Sequence, residues 1–230
     1  MMDRIAIYSC IIGAYDKLKQ PAAVDEGFDF ICFVGKGEEH AGTDGVWQIR
    51  ELPLTLGNKR LDARYAKMHP HELLPEYACS IWIDGNIEIL DGTVYDAARK
   101  MESSGALFAG VTHPTRDCTY QEAKKCRDMR YISYFKLVRI WLTLAFAGLP
   151  LHAGLFETNV LFRRHNDAEI LALDGVWWDK ILHFCFRDQL SVMWCLRKCG
   201  VTPAYFLPKG QNTRNHPGFR YILHDRNNGK

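Results

Sequence analysis

The sequence predicts a single α/β domain with a mixed, mostly parallel central sheet flanked by helices. A chain of 230 residues is long enough for one domain with a full core and short for two. Near-continuous apolar runs, typical of strands covered on both faces, alternate with segments of helical periodicity. One such run, residues 79–83, stops abruptly at Asp84, which is typical of the carboxyl end of a buried strand.

Composition excludes several classes of protein. The net charge of +2 gives no support for a nucleic-acid partner, and 47% hydrophobic with 24% charged residues is ordinary for a soluble protein. The apolar run near the N-terminus lacks a cleavage site, and no transmembrane span is evident. We therefore expect the protein in the cytoplasm, either free or at the inner face of the membrane.

The eight cysteines form no C-x-x-C pair, and several lie inside apolar runs. This pattern favours buried thiols in a reducing compartment. A zinc site at Cys118 and Cys126, or at Cys195 and Cys199, is the alternative, although neither spacing matches a common structural zinc site.

Three strands are predicted in the first 50 residues, at 5–12, 28–34 and 46–50. Gly13 opens the loop after the first strand.

A helix is predicted over residues 58–68, and its basic residues share one face. Arg60, Arg64 and Lys67 follow the spacing i, i+4, i+7, beside an apolar stripe that must face the core. Such a row could hold a diphosphate. The alternative is a solvated face with Asp62 as its partner.

The run 79–84 predicts a central strand that delivers a carboxylate into a cleft. Asp84 is followed by Gly85 and Asn86, which are turn residues. A carboxylate with a second oxygen ligand two residues later suits a hard divalent cation that bridges phosphates.

Strand and helix then alternate, which predicts a right-handed crossover. The predicted elements are a short strand at 87–89, a helix from Thr93, a strand at 107–111, a helix or excursion at 116–130 and a helix at 132–147. Thr93 and Asp96 resemble a capping box, and His113 lies in the loop after the 107–111 strand. The apolar helix at 132–147 packs on the sheet by default; the alternative is contact with a membrane or a lipid-linked acceptor.

The strand predicted at 155–163 has an unusual polar side. Glu157 and Asn159 share one face with a period of two. The other face is apolar and carries Phe156, Val160 and Phe162. Two polar side chains on an apolar strand need partners, so they either join a buried network or line a cleft, and we favour the cleft.

The last part of the chain predicts two helices and a polar tail. The first helix starts near Asn166 and breaks at residues 174–175; the second has Asp188 in its first turn, where a carboxylate favours the helix dipole whatever else it does. The tail 212–219 could fold back over a ligand, which makes His216 a candidate ligand or phosphate contact, or simply an exposed histidine.

Seven segments together resemble one family: residues 7–16, 31–33, 59–64, 67–71, 80–86, 157–160 and 187–191. The most specific parts are Trp-Ile-Asp-Gly-Asn at 82–86 and Arg-Asp-Gln-Leu-Ser at 187–191. The chain resembles the glycosyltransferase-like family of bacterial proteins and of plant Golgi proteins linked to pectin and mucilage synthesis.

The resemblance implies a Rossmann-like domain of the GT-A type, with a nucleotide-sugar donor and a divalent cation, Mn²⁺ or Mg²⁺, on its diphosphate. Asp84 would be the metal-binding acid, Asn86 would take the second position of the Asp-x-Asp motif, and His216 would stand where related enzymes place a C-terminal histidine ligand. An amide is a neutral and weaker ligand, which is a departure from the usual motif.

The resemblance also implies roles for the other candidates. Donor-binding residues would be Tyr8, Gly13, Tyr15, Asp16, Arg60, Arg64, Lys67 and Asp84. Asp188 and Glu157 are the two candidates for a catalytic base or orienting group on the acceptor hydroxyl. His113 and Asn159 would lie on the acceptor side.

The expected division is a nucleotide-sugar-binding half at 1–111, an acceptor-side half at 112–210 and a C-terminal tail at 211–230. The implied activity is metal-dependent transfer of a sugar from a nucleotide-sugar to a glycan or lipid-linked acceptor in surface polysaccharide synthesis, with peripheral membrane contact. The alternative is a non-catalytic module that binds nucleotide-sugars or glycans in a polysaccharide assembly complex, which the amide at position 86 motivates. A metal-dependent phosphohydrolase is a third, weaker interpretation.

Overall fold

A mixed eight-stranded sheet forms the centre of the protein, in a computed structural model that describes residues 4–13 and 16–223. In order across the sheet, the strands are β3 (Thr43–Asp44), β4 (Trp47–Glu51), β2 (Phe28–Val34), β1 (Ile5–Cys10), β5 (Ser80–Ile83), β8 (Phe156–Arg163), β7 (Phe108–Thr112) and β9 (Ala204–Tyr205). Only β3 and β8 run antiparallel to their neighbours. The predicted α/β class and the mixed, mostly parallel sheet are confirmed.

Helices cover both faces of this sheet. They are α1 (Lys59–Met68), α2 (Pro70–Leu73), α3 (Thr93–Ser103), α4 (Thr119–Asp128), α5 (Tyr134–Phe146), α6 (Ala168–His183), a 3₁₀ helix (Asp188–Leu190) and α7 (Val192–Lys198). One apolar core lies between the sheet and α3, and a second between the sheet and α1, α6 and α7. A smaller third core joins α4 and α5 to the segment before α7. Among the described residues, no helix is long and apolar enough to cross a membrane.

The strand order of the sheet reverses at β1. The chain first builds β2 and β4 on one side of β1 and then crosses to build β5 on the other side. The carboxyl ends of β1 and β5 therefore flank a topological switch point, where open α/β sheets bind ligands. The loop at 11–13 and the turn at 84–86 both begin there.

The tail folds back along the chain and pairs with the short strand that follows the Asp84 turn; whether it also covers a ligand stays a prediction. Its strand β10 (Phe219–Tyr221) pairs antiparallel with β6 (Ile87–Ile89) in a separate two-stranded ribbon. Asn212 and Thr213, just before this strand, are buried.

Three local predictions are wrong. α6 does not break at 174–175, because Asp174 is buried against Arg163 and its neighbours in the helix pack into the core. α3 is capped by Asp91, whose carboxylate accepts from the backbone NH of Thr93, and not by a capping box. Phe156 packs on the face opposite Val160, because the register between β7 and β8 shifts near this point.

None of the four cysteines of the proposed zinc sites forms a disulfide, and Cys118, Cys126 and Cys195 are buried. Within residues 4–13 and 16–223, no three histidine, cysteine, aspartate or glutamate side chains gather as a metal cluster. The alternative of a structural zinc site therefore finds no support in the described part of the chain.

A buried ion pair ties β8 to α6. Arg163 and Asp174 are both fully buried, and Arg163 Nη1 lies 2.8 Å from Asp174 Oδ1. Arg163 Nη2 also donates to the Tyr8 hydroxyl at 2.6 Å and to the backbone carbonyl of Lys67. One guanidinium thus connects β8, α6, β1 and α1.

Replacing Arg163 by methionine is expected to lower the free energy of unfolding by about 3–5 kcal/mol, because it leaves the Asp174 carboxylate buried without a partner. The double variant R163M/D174L should recover most of this loss, since an apolar pair can replace a buried ion pair at little cost. Urea unfolding followed by circular dichroism measures both values.

Arg220→Met is the matched control, because the Arg220 side chain is 62% exposed in its ion pair with Glu88. Loss of such a surface pair should cost less than about 1 kcal/mol. A double variant as unstable as the sum of the two single variants would contradict the assignment of the loss to an unpaired charge.

Candidate active site

Asp84 places one carboxylate at the switch point, where β5 ends. Its backbone NH donates to the carbonyl of Asn159 at 2.9 Å, which fixes the turn to the neighbouring strand β8. Trp82 Nε1 donates to Asp84 Oδ1 at 2.6 Å. The Asp84 side chain remains 34% exposed, so this carboxylate is held by the protein and is also open to a ligand.

Lys67 lies behind this carboxylate with its ammonium group buried. Lys67 Nζ is 2.6 Å from Asp188 Oδ2 and 3.6 Å from Asp84 Oδ1, and it lies 5.4 Å from the centre of the Trp82 ring. Its backbone carbonyl accepts from Arg163 and Tyr8. The site therefore contains a fixed positive charge shared by two acids.

Asp188 is saturated with donors. Besides Lys67, its Oδ2 accepts from Thr158 Oγ1 at 2.8 Å, and Arg64 Nη2 lies 3.4 Å from its Oδ1. Burial would raise the pKa of Asp188, but Arg64, Lys67 and the hydrogen bonds outweigh it and hold that pKa well below the usual range. A carboxylate of such low basicity suits the positioning of Lys67 and Arg64 better than proton transfer.

The basic row of α1 runs from solvent into the core. Arg60 is exposed, Arg64 is partly buried and Lys67 is fully buried. Asp62 does not pair with this row, because its two oxygens accept from Thr55 Oγ1 at 3.0 Å and from the backbone NH of Leu56 at 2.6 Å. The predicted row is therefore present, and the alternative of a solvated face paired with Asp62 is not.

Glu157 and Asn159 face the returning tail. Glu157 Oε1 accepts from Arg214 Nε at 3.1 Å and Nη2 at 2.5 Å, and Asn159 Nδ2 donates to Thr213 Oγ1 at 2.8 Å. Among the described residues, Glu157 Oε2 and Asn159 Oδ1 have no hydrogen-bond partner, although both are buried. Burial raises the pKa of Glu157 despite the ion pair with Arg214, and the negative charge of Asp84 raises it further. Two buried acceptor oxygens thus lie close to Asp84.

Asn86 links the Asp84 turn to the tail. Its Nδ2 donates to the carbonyl of Ile222 at 2.9 Å, and its backbone carbonyl accepts from the Ile222 NH at 2.9 Å. Its Oδ1 is buried and has no donor within the described residues. An oxygen left unpaired in this way can serve as a ligand for a hard cation, as the sequence predicts for position 86.

A groove of about 490 Å³ lies beyond the carboxyl ends of β1, β2 and β4. Its lining includes Ile11, Asp16, His40 and Asp44. The groove adjoins the Asp84 turn, because a Cβ added at Gly85 would lie 3.6 Å from the Cβ of Asp16. Its volume is in the range of small-molecule sites.

Of the predicted donor-binding residues of the first loop that the structure describes, Asp16 lines this groove and Gly13 does not. Gly13 has a φ of +66°, and its NH donates to Glu38 Oε1 at 2.8 Å. Tyr8 is fully buried, so it does not reach a ligand. Its hydroxyl accepts from Arg163 and donates to the backbone carbonyl of Lys67. Tyr15 lies outside the described residues.

His216 lies in the turn before β10. Its backbone NH donates to the Asn212 carbonyl at 3.0 Å, and its Nδ1 accepts from the Gly218 NH at 3.0 Å. The role of His216 as a metal ligand beside Asp84 stays a prediction, since no contact among the described residues tests it.

His113 supports the loop after β7. Its Nδ1 accepts from the backbone NH groups of Thr115 and Arg116 at 3.3 and 3.1 Å, and its Nε2 lies 3.6 Å from Glu122 Oε2. Burial lowers the pKa of His113 to about 4, with Glu122 opposing and Arg116 adding to the shift. The ring is therefore neutral near pH 7 and holds its loop through an acceptor nitrogen.

Several residues of the site carry no clear signal in the sequence. Thr158, Thr213 and Arg214 each hold a candidate residue in place through contacts between distant parts of the chain. Trp82 could have been found, because it precedes Asp84 by two residues and so shares its side of the strand.

Comparison with solved structures finds several glycosyltransferases. The galactosyltransferase LgtC, in complex with donor and acceptor sugar analogues, is 11% identical, with 87% of this chain and 72% of that chain covered and a TM-score of 0.49. The apo bifunctional glycosyltransferase WbbM is 10% identical, with 84% and 38% covered and a TM-score of 0.46. Mouse xyloside xylosyltransferase 1, also apo, is 8% identical, with 88% and 84% covered and a TM-score of 0.48. All three scores fall below 0.5, which is too low to support a structural argument.

Sequence comparison is more informative. The probable hexosyltransferase MUCI70 of Arabidopsis thaliana is 24% identical over an alignment 213 residues long, which covers 81% of this chain and 36% of the plant protein. The chain thus spans about a third of the length of this curated relative. The family model described as TOD1/MUCI70, glycosyltransferase-like domain, matches residues 1–207. With most of its length matched, and with Asp84, Lys67 and Asp188 assembled at the switch point, the chain belongs to the TOD1/MUCI70 glycosyltransferase-like domain family.

Proposed function

We propose that this protein is a glycosyltransferase that moves a sugar from a nucleotide-sugar donor to a glycan or lipid-linked acceptor in surface polysaccharide synthesis, with Mn²⁺ or Mg²⁺ as its cofactor. The observation that carries the proposal is the open Asp84 carboxylate backed by the buried Lys67 at the switch point, beside a groove of ligand size. Membership of the family and the name of the plant relative support the same chemistry.

The donor fits across the carboxyl edge of the sheet. The groove takes the nucleoside, and Asp16 in its lining can accept from a ribose hydroxyl. The diphosphate then lies at the Asp84 turn, within reach of Arg64 and Arg60, whose guanidinium groups match phosphate oxygens. These charges offset the negative charge that grows on the departing nucleoside diphosphate.

The residues at the turn fit a divalent cation that is bound partly by the protein and partly by the phosphates of the substrate. Mg²⁺ is commonly held by one or two carboxylates together with substrate phosphates and water, so no dedicated cluster of three protein ligands is needed. Asp84 supplies an exposed carboxylate, and Asn86 Oδ1 is a buried oxygen without a described donor. Bound there, the cation would supply positive charge to the diphosphate.

The two candidate bases, Asp188 and Glu157, differ in the direction in which their surroundings shift the pKa. The pKa of Asp188 is depressed, and both of its carboxylate oxygens already contact donors on Lys67, Thr158 and Arg64. Glu157 has a raised pKa and one oxygen free of described partners. We assign the acceptor-activating role to Glu157 and a positioning role to Asp188, because a base works best with a pKa close to the working pH.

A binding module without catalysis is the second candidate. It is favoured by Lys67 Nζ, which at 3.6 Å from Asp84 Oδ1 already neutralises part of the charge that would attract a metal. Donor hydrolysis distinguishes the two, because only an enzyme consumes the nucleotide-sugar. Hydrolysis that disappears in Asp84→Asn would exclude the binding module.

A thermal-shift screen of UDP-, GDP- and CDP-sugars, with and without Mn²⁺, tests the proposal. A donor at about 100 times its Kd should raise Tm by about 5–10 °C, because ligand binding stabilises the native state. The shift should be larger with Mn²⁺ present. The absence of any shift with every nucleotide-sugar would overturn the proposed function.

Asp84→Asn is expected to weaken donor binding in the presence of Mn²⁺ by about 10- to 100-fold, because it removes a charged ligand worth roughly 1.5–3 kcal/mol. The difference between titrations with and without Mn²⁺ should also disappear. Isothermal titration calorimetry measures both effects. Asp96→Asn is the control, since Asp96 is an 85% exposed acid on α3, away from the site. Unchanged affinity and metal dependence in Asp84→Asn would argue against the metal role.

Glu157→Gln is expected to lower kcat by about 10²- to 10⁴-fold with little change in donor affinity, because it removes a general base. In the wild type, kcat should fall as pH drops through the raised pKa of Glu157, at a higher pH than an ordinary glutamate would give. The variant should lack this dependence, whereas Asp188→Asn should retain it, since the pKa of Asp188 lies well below that range. A pH profile at saturating donor measures this, and a Glu157→Gln profile identical to wild type would assign the base elsewhere.

A further inference from the structure

Exposed apolar side chains concentrate in one part of the described surface. Of the sixteen large hydrophobic side chains exposed in the described residues, eight lie between positions 129 and 151, a tenth of the chain. They are Met129, Tyr131, Tyr134, Phe135, Trp141, Leu142, Phe146 and Leu151. We name these eight residues the α5 patch, since most of them lie on or next to α5. Apolar patches of this kind usually mark a contact surface.

The helix α5 is apolar on both sides. Leu137, Ile140 and Leu144 face the small core shared with α4 and are buried. At about 100° per residue, Phe135 and Phe146 lie on the opposite side of the helix. They are 85% and 89% exposed, so their rings stand clear of the rest of the protein. A helix with two apolar sides needs a second apolar environment beyond its own core.

The charge around the patch is positive. α5 contains Lys136 and Arg139 and no acidic residue. The neighbouring segment adds four exposed bases: Lys124, Lys125, Arg127 and Arg130. Against them, Asp128 is the single exposed acid from 119 to 147, because Glu122 is buried and paired with Arg116. On the adjoining segments, the exposed acids Asp117 and Asp179 are paired with His152 and His183. Arg139 is held beside the patch by its hydrogen bond to the His183 carbonyl at 3.1 Å.

We propose that the α5 patch is a docking surface for an anionic lipid bilayer. Protruding phenylalanine and leucine side chains, with lysine and arginine at the margin, are the pattern by which a surface helix enters the headgroup region. With 13 residues, α5 is about 20 Å long, which suits a helix that lies in the plane of the interface. The excess of lysine and arginine over exposed acids provides charge complementarity to anionic headgroups.

One edge of the patch lies close to the segment that carries Asp188. The guanidinium of Arg187 lies 4.9 Å from the centre of the Tyr131 ring, and Arg187 directly precedes Asp188. Docking of the patch would bring this side of the protein towards acceptors held in the same bilayer. This consequence rests on the proposed function, whereas docking itself does not.

Co-sedimentation with vesicles tests docking without any donor or acceptor. The full chain is incubated with vesicles of phosphatidylcholine alone and of phosphatidylcholine with an equal amount of phosphatidylglycerol. We expect binding to the mixed vesicles, and binding there should weaken as salt is raised because part of the attraction is between charges. F135S/F146S should bind at least about tenfold more weakly, since two apolar side chains no longer enter the interface.

Leu171→Ser is the control for general loss of hydrophobic surface, because Leu171 is 40% exposed on α6 outside the patch and should leave vesicle binding unchanged. Light scattering after size exclusion gives the oligomeric state of each variant. Failure of the wild type to bind mixed vesicles would overturn the proposal, as would equal binding by F135S/F146S. A wild-type dimer that this double variant converts to monomer would assign the patch to a second copy. None of these results bears on nucleotide-sugar binding, so docking and the proposed function can fail separately.

Discussion

The buried ammonium group of Lys67 is the constraint on which the arrangement of the site depends. An unpaired charge in the core would cost several kcal/mol, so Asp188 must stay ionised and within contact of Lys67. Because Asp188 lies in the 3₁₀ helix and Lys67 on α1, this pair joins parts of the chain 121 residues apart. The Arg163 guanidinium donates to the backbone carbonyl of Lys67, which fixes the main chain of that residue. The partly exposed Asp84 thus gains a fixed position without being buried itself.

The same network explains why two acids near one cleft behave differently. Asp188 is surrounded by cations and donors, which favour its charged form and depress its pKa. Glu157 has a single cationic partner, Arg214, which does not overcome burial and the nearby charge of Asp84. This difference in pKa is the basis on which we propose a positioning role for Asp188 and proton transfer for Glu157. This difference comes from neighbours that meet only in the folded chain.

Local pattern accounts for what the sequence predicts well. Apolar runs located the central strands, and the spacing of Arg60, Arg64 and Lys67 placed them on one helical face, because periodicity is a property of the segment itself. The pattern could not show that burial increases along that row. It also placed a break at Asp174, since an Asp-Gly pair is typical of turns, whereas the ion pair with Arg163 keeps this aspartate inside a helix. Contacts with the tail were equally hidden, because Arg214 has no periodic signal.

Asn86 shows how a departure from an acidic motif can have a structural reason. Its amide nitrogen donates to the Ile222 carbonyl, which ties the returning tail to the turn that holds Asp84. An ionised aspartate has no donor for this carbonyl and would place a negative charge against it. An amide can both hold the tail and keep an oxygen at the turn. Its nitrogen donates to the Ile222 carbonyl, and its Oδ1 remains a neutral oxygen without a described donor. For the metal site that we propose, a neutral second oxygen beside Asp84 and Lys67 would lower the affinity for a free cation and make its binding depend on the negative charge of the donor diphosphate.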